Sequence, residues 1–388
     1  MSDMKLQKAQ HTSLWQRDFA ENPFIVIWEV TRACQLHCMH CRAEAQRHRD
    51  SRELTTQEGE RLIDEISEMH HPLFVFTGGD PLEREDLFHL IHHAASRGLE
   101  VGMTPSATPR VTQAALAEAK AAGLSRCAFS LDGSTASIHD RFRGTKGSFD
   151  LTIQALLSLH EIQMPIQVNT TLSRFNLDDL ENIADLVESF GTVLWSVFFL
   201  VPTGRGRAQD MVDAETGEAV MKWLREQGGR RSFDIKTTAA PHYRRVVMQQ
   251  AARLGGLPSG ATAVTDAGAP IGFQVPAGRG DRIDGLRARG VNDGNGFVFI
   301  SHTGDIYPSG FLPVVAGNVR IQSLAQVYRS SQVFKDLRDL DRLKGKCGAC
   351  EFRTVCGGSR ARAYALTGDY LESDPACAYI PTSLRQSG

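Results

Sequence analysis

The sequence predicts an α/β fold, a (β/α)6 repeat followed by a small C-terminal domain organised by metal. Six short apolar runs alternate with amphipathic segments between residues 24 and 200. Seven of the eight cysteines fall in two groups. Cys34, Cys38 and Cys41 follow the first run; Cys347, Cys350, Cys356 and Cys377 lie near the other end.

The runs are FIVIWEV (24–30), PLFVFT (72–77), LEVGMT (99–104), RCAFSL (126–131), IQVNTTL (166–172) and LWSVFFL (194–200). Each is short and rich in β-branched or aromatic residues, the composition of a buried parallel strand. After the first, Leu62, Ile63, Ile66 and Met69 recur at helical spacing. Thr55 or Thr56 serves as N-cap, and Glu58 and Glu60 stand in the first turn, where the helix dipole favours them. Similar patterns predict helices near 86–97, 111–122, 147–161, 177–189 and 214–227. Right-handed crossovers turn this alternation into an open sheet or a curved partial barrel. In both, the site sits at the C-terminal ends of the strands.

Residues 255–290 hold nine glycines in 36 positions, with Arg279, Arg282, Arg287 and Arg289 among them. This segment is a solvated connection or a lid whose arginines suit an anionic substrate. FVFIS-HTGD-IYP (297–308) predicts a hairpin with Gly304 in its turn. Two short helices near 323–330 and 331–340 lead into the last cysteines. The expected division is an extension at 1–23, a barrel at 24–228, a connection or lid at 229–290 and the metal domain at 291–388.

Hydrophobic residues make up 41% and charged residues 23% of the 388, ordinary for a soluble domain. A net charge of -2 gives no reason to expect nucleic acid or an anionic membrane as partner. There is no run of 18 apolar residues, and the first 23 residues lack the apolar centre of a signal peptide. These features place the protein in the cytoplasm. Thiols stay reduced there, so the clustered cysteines are metal ligands or catalytic groups rather than disulfides. Cys127, inside an apolar run, is a small buried hydrophobe.

The first group is spaced C-x3-C-x2-C. A structural zinc ion takes four protein ligands. Three thiolates instead suit a [4Fe–4S] cluster with one iron left open to a small molecule. A zinc site with His37 or His40 as fourth ligand is the alternative.

That motif, directly after the first strand of a (β/α) repeat, resembles the radical SAM superfamily, and the resemblance covers most of the chain. It implies a partial (β/α)6 TIM-like barrel in which Cys34, Cys38 and Cys41 hold the catalytic cluster. S-adenosylmethionine (SAM) would chelate the open iron. Its reductive cleavage would give a 5′-deoxyadenosyl radical that abstracts hydrogen from a substrate. A reduced ferredoxin or flavodoxin would supply the electron. His40 stands where the family often has an aromatic residue. TGGDPL (77–82) resembles the family's GGE motif and assigns Thr77, Gly78, Gly79 and Asp80 to the SAM amino group, with Asp80 replacing the usual Glu. FSLDGS (129–134) and HDRFRG (139–144) imply that Ser130 and Asp132 lie near the ribose and that Arg143 meets the SAM carboxylate. Asn169 and PTGRGR (202–207) would touch ribose and adenine. Many relatives carry Thr-Asn-Gly after strand three; here Pro105-Ser106-Ala107 replaces it, and no role is carried over.

The second group is spaced C-x2-C-x5-C-x20-C and can close a [4Fe–4S] or a zinc site. It resembles the SPASM/twitch extension of radical SAM enzymes. The full pattern has seven cysteines and two clusters. Here Arg360 takes the place of one cysteine, and the hairpin carries Ser309 and none. The resemblance therefore implies one auxiliary [4Fe–4S] cluster, with Phe352, Tyr364 and Tyr379 packed around it.

Related haem-pathway enzymes act on tetrapyrrole carboxylates, and fuller SPASM enzymes modify peptides. Only 23 residues precede the first strand, short for a peptide-recognition domain, so a small-molecule substrate is expected before a peptide. A non-catalytic iron–sulfur scaffold or redox sensor would bind clusters without cleaving SAM. It would have no use for the TGGD turn.

Overall fold

Alternate residues along each strand face helices or the barrel interior, and this period-two pattern fixes where each side chain goes. A computed structural model describes residues 18–253 and 290–385. The repeat begins with β1 (Ile25–Glu29), α1 (Thr56–Ser67), β2 (Leu73–Thr77), α2 (Leu87–Ser96), β3 (Val101–Met103) and α3 (Gln113–Ala121). It continues through β4 (Arg126–Ser130), α4 (Ala136–Arg143), α5 (Ser148–Glu161), β5 (Ile166–Leu172), α6 (Leu180–Ser189) and β6 (Leu194–Phe199). Then come α7 (Ala214–Arg230), β7 (Asp234–Thr238) and α8 (His242–Arg253). The C-terminal part supplies β8 (Phe297–Ile300), β9 (Asp305–Tyr307), β10 (Gly317–Asn318), α9 (Leu324–Ser330) and α10 (Gln332–Arg338). Three short helices end it, α11 (Gly345–Gly348), α12 (Arg360–Thr367) and α13 (Thr382–Arg385).

The sheet order is β10-β9-β8-β1-β2-β3-β4-β5-β6-β7. Strands β1 to β7 pair in parallel. The six expected strands are β1 to β6. Two elements fall inside the segment expected to be a connection or lid: β7, which extends the parallel sheet, and α8. The sequence of β7, DIKTT, has one apolar residue, Ile235, turned to the core, so no apolar run marked it. The C-terminal part also enters the sheet. Strand β8 pairs in parallel with β1, and β9 returns antiparallel from it through the turn at Gly304, whose φ is +89°.

On the helix side, Trp28, Phe74, Phe76, Phe129, Val168 and Trp195 are fully buried. Cys127 is buried among them, as expected of a small apolar residue. Helix α1 starts as predicted. Thr55 accepts from the Glu58 N–H at 3.3 Å, and Glu58 accepts from the Thr55 N–H at 2.8 Å, a closed capping box. No helix among the described residues is long and apolar enough to cross a membrane.

Candidate functional site

The C-terminal end of β1 opens into the three-cysteine loop. Its base is closed by backbone bonds from Gln46 to Arg32 (2.9 Å) and from Cys34 to Gln46 (2.8 Å). Cys34 and Cys38 are buried and Cys41 is half-buried, packed with Leu36 and Ala45. The sulfurs face donors. The Leu36 N–H lies 3.4 Å from Cys34 Sγ and the Ala45 N–H 3.4 Å from Cys41 Sγ. Arg143 Nη1 approaches Cys38 Sγ at 3.7 Å. Donors aimed at ligand sulfurs stabilise the negative charge of an iron–sulfur cluster. Burial pushes the Cys34 thiol up to about 11 and raises Cys38, so only a bound metal would hold these sulfurs as thiolates at neutral pH. Among the described residues no three or more His, Cys, Asp or Glu close round a single ion. A cubane differs, since each thiolate meets its own iron. The two alternative zinc ligands have other partners. His40 is stacked on Phe142 at 4.2 Å, and His37 Nδ1 lies 3.3 Å from Arg205 Nη1.

Thr77, Gly78, Gly79 and Asp80 follow β2 and dock against this loop. Gly79 N–H donates to Thr31 O at 2.8 Å and Asp80 N–H to Ala33 O at 2.7 Å. A Cβ on Gly78 would come 2.6 Å from Thr31 O, and one on Gly79 2.4 Å from Ala33 O, so only glycine allows this approach. The Asp80 side chain is buried and holds the turn, accepting from Thr108 Oγ1 at 2.8 Å and Leu82 N–H at 3.2 Å. Burial pushes its carboxyl up to about 6. Thr77 Oγ1 accepts from Thr104 Oγ1 at 2.8 Å. Ser106, given no role by sequence, joins the two loops. Its hydroxyl donates to Gly79 O at 2.8 Å and sits 3.4 Å from Cys34 Sγ. No signal short of the fold would have found it.

Arg143 and Asp132 pair with each other. Arg143 Nη2 lies 2.7 Å from Asp132 Oδ2, and Asp132 Oδ1 accepts from the Thr171 N–H at 2.7 Å. Asp132 is fully buried, and His40 Nε2 lies 3.8 Å from its Oδ2. Arg143 thus reaches the cysteine loop, while its guanidinium is already shared with a carboxylate. Ser130 and Asn169 occupy one row across β4 and β5, and Asn169 Oδ1 accepts from Gln167 Nε2 at 2.8 Å. In PTGRGR, the Arg205 backbone N–H donates to Cys41 O at 3.0 Å and its Nε to Cys38 O at 2.9 Å, clamping the cysteine loop from the far side.

The four C-terminal cysteines line one small cavity together with His242, Arg245 and Arg353. Arg360, where the longer pattern has a cysteine, is buried and points at this cavity's wall. It donates to Cys347 Sγ at 3.3 Å, Glu372 O at 2.8 Å and Tyr370 O at 3.1 Å. Burial pushes Cys356 up to about 12 and raises Cys347 and Cys350. Cys377 differs, since His242 and Arg245 beside it outweigh burial and lower it. The cavity, its four thiols and the surrounding cations fit a closed four-thiolate cluster. Phe352 packs edge-on against Tyr379 at 5.5 Å beside it, whereas Tyr364 packs on the main core instead. Asp374 ties this part to the barrel. It accepts from Arg362 Nε and Nη2, both at 2.9 Å, and lies 3.2 Å from His242 Nε2 at the start of α8. The arginines at 279, 282, 287 and 289 lie outside the described residues.

A family profile described as the Radical SAM superfamily matches residues 28–187. The chain is 38% identical over 361 residues to an AdoMet-dependent heme synthase of Methanosarcina barkeri, covering 92% of this chain and 97% of that one. It is 27% identical over 384 residues to a PqqA peptide cyclase of Bradyrhizobium diazoefficiens, covering 94% and 90%. Among solved structures it is similar to Streptococcus suis SuiB bound to its precursor peptide SuiA, with a TM-score of 0.69 at 15% identity over 92% of this chain and 76% of that one.

Proposed function

Because the chain belongs to the radical SAM superfamily, we propose that its substrate is a tetrapyrrole bearing carboxylate side chains and that it serves haem-type cofactor biosynthesis. The observation that carries this is the 38% identity to a heme synthase over nearly all of both chains. The enzyme is a SAM-dependent iron–sulfur oxidoreductase or lyase. When bound, the cluster and SAM supply a carbon radical that takes a hydrogen atom from the substrate.

The residues divide the work. Cys34, Cys38 and Cys41 hold the cluster, and the N–H groups of Leu36 and Ala45 support its sulfurs. Gly78 and Gly79 let the turn dock on the cysteine loop, where its backbone would meet the SAM amino group, and Asp80 and Ser106 fix that backbone. Arg143 brings positive charge beside Cys38, where it would meet the SAM carboxylate, and Asp132 orients it. Ser130 and Asn169, register partners across β4 and β5, would meet the ribose. Cys347, Cys350, Cys356 and Cys377 would hold one auxiliary [4Fe–4S] cluster, for a total of about eight irons per chain. A reduced ferredoxin or flavodoxin is the proposed donor. Turning a propionate into a vinyl group releases CO2, one hydrogen atom and one electron, so the reaction requires both a hydrogen acceptor and an electron acceptor.

The test is 5′-deoxyadenosine release by the anaerobically reconstituted, dithionite-reduced protein. Arms contain SAM alone, SAM with iron coproporphyrin, and SAM with a candidate peptide. Stimulation by the porphyrin is expected. Stimulation by peptide alone would favour a peptide maturase, the reading to which the PqqA peptide cyclase likeness lends weight. No release from protein with full iron content would favour a scaffold.

A further inference from the structure

Among the described residues, two cations on the interior face of the barrel wall, Lys236 and Arg126, have no counter-ion. Register aligns Ser130, Asn169, Ser196 and Lys236 in one row across β4 to β7. The neighbours Phe129, Val168, Trp195 and Ile235 belong to the core on the helix side, so this row faces the interior. Arg126, at the start of β4, lies on the same face as Ser130, since Cys127 between them is turned to the core. Lys236 is exposed and Arg126 partly so. Burial, Arg126 and Arg244 push the Lys236 ammonium down to about 8. Solvent reaches both side chains on the face that the register turns to the barrel interior.

Among the described residues, the carboxylates on this face have partners. Glu29 is held by Arg42 at 2.9 Å and Asp132 by Arg143 at 2.7 Å. Asp234, two residues before Lys236, has its own partner. Among the described residues, neither Lys236 nor Arg126 has a side-chain hydrogen bond or ion pair. Unpaired cations beside satisfied carboxylates leave this face positive, and an anionic ligand meets it at little desolvation cost to the protein.

We propose that Lys236 and Arg126 bind a carboxylate group of the substrate inside the barrel and so determine its specificity. This rests on the tetrapyrrole reading and adds the recognition element. A substrate with several carboxylates leaves one free to react near the SAM row while others anchor it to these cations. Lys236 lies level with Asn169, two strands away, so the anchor would stand at the height of the residue proposed for the ribose.

The test is equilibrium binding of iron coproporphyrin to the SAM-loaded, cluster-replete protein, followed by its Soret absorbance. Wild type is compared with Lys236→Gln, Arg126→Gln and Lys236→Arg, and the porphyrin acid with its methyl ester. Losing a charge-assisted bond costs about tenfold or more in affinity for the acid. The two Gln variants are expected to show that loss for the acid and none for the ester. Lys236→Arg is expected to retain binding, and SAM affinity to stay unchanged in all three. Gln variants that bind the acid as wild type does, or that lose acid and ester equally, overturn the proposal alone. Wild-type protein that binds neither porphyrin form overturns the tetrapyrrole reading and this proposal with it.

Discussion

Ser106, Arg360 and Glu29 show how single side chains set the site. Ser106 couples the cysteine loop to the glycine turn, so a change in one is felt by the other. Arg360 places a buried guanidinium 3.3 Å from Cys347 Sγ. A cation and a donor at a ligand sulfur stabilise the reduced, more negative state of a cluster. Arg360→Met should therefore lower the midpoint potential of the auxiliary cluster in an EPR-monitored redox titration, with the SAM cluster unmoved. It should also destabilise the protein by about 1–3 kcal/mol, since the carbonyls of Tyr370 and Glu372 lose their donor. At Glu29, burial raises the carboxyl, but Arg42, His302 and Arg32 outweigh it and bring it down to about 2. A depressed carboxylate contributes stability above its unfolded value near 4.5 and loses it as pH falls toward 2. Glu29→Gln should cost about 3–5 kcal/mol at neutral pH, the cost of leaving buried cations unpaired. That cost should shrink near pH 4, as urea unfolding of both proteins would measure.

At the scale of elements, the strand-to-loop junctions carry the function. Gly79→Ala would drive a Cβ to 2.4 Å from Ala33 O, backbone against backbone with no flexible end to yield. The expected result is at least a tenfold loss of SAM affinity with the iron of the second cluster retained, as equilibrium SAM binding and iron analysis would show. Thr55→Ala opens the capping box of α1 and should cost about 1 kcal/mol, read as a lower midpoint of thermal unfolding. Such local devices are legible in sequence because they depend on residues three or four apart. Strands β1 to β6 were legible because both their faces, or their helix face at least, demand apolar residues. Strand β7 was not, because its inner face is polar and its outer face needs only Ile235. Helix α4, ASIHDRFR, was hidden for a similar reason, since only His139 and Phe142 are buried along it.

At the scale of the molecule, the cysteine spacings predict two centres but not how the chain joins them. The two parts share one sheet, because β8 lies beside β1, and one buried network of Asp374, Arg362 and His242. Asp374 is fully buried, and burial is outweighed by Arg362 and His242, which hold it well below the usual carboxylate range. Arg362 also donates to Ala239 O at 2.8 Å, just after β7. Partners so far apart in sequence leave no local pattern, which is why composition and spacing did not reveal them. The measurement that bears most directly on the central claim follows hydrogen itself. Iron coproporphyrin deuterated in its propionate side chains is incubated with the reduced protein and SAM, and the 5′-deoxyadenosine is analysed by mass spectrometry. Deuterium in the 5′-deoxyadenosine, with CO2 loss from the porphyrin, is the predicted result. 5′-Deoxyadenosine that carries no deuterium while the porphyrin keeps its carboxylates would contradict the account.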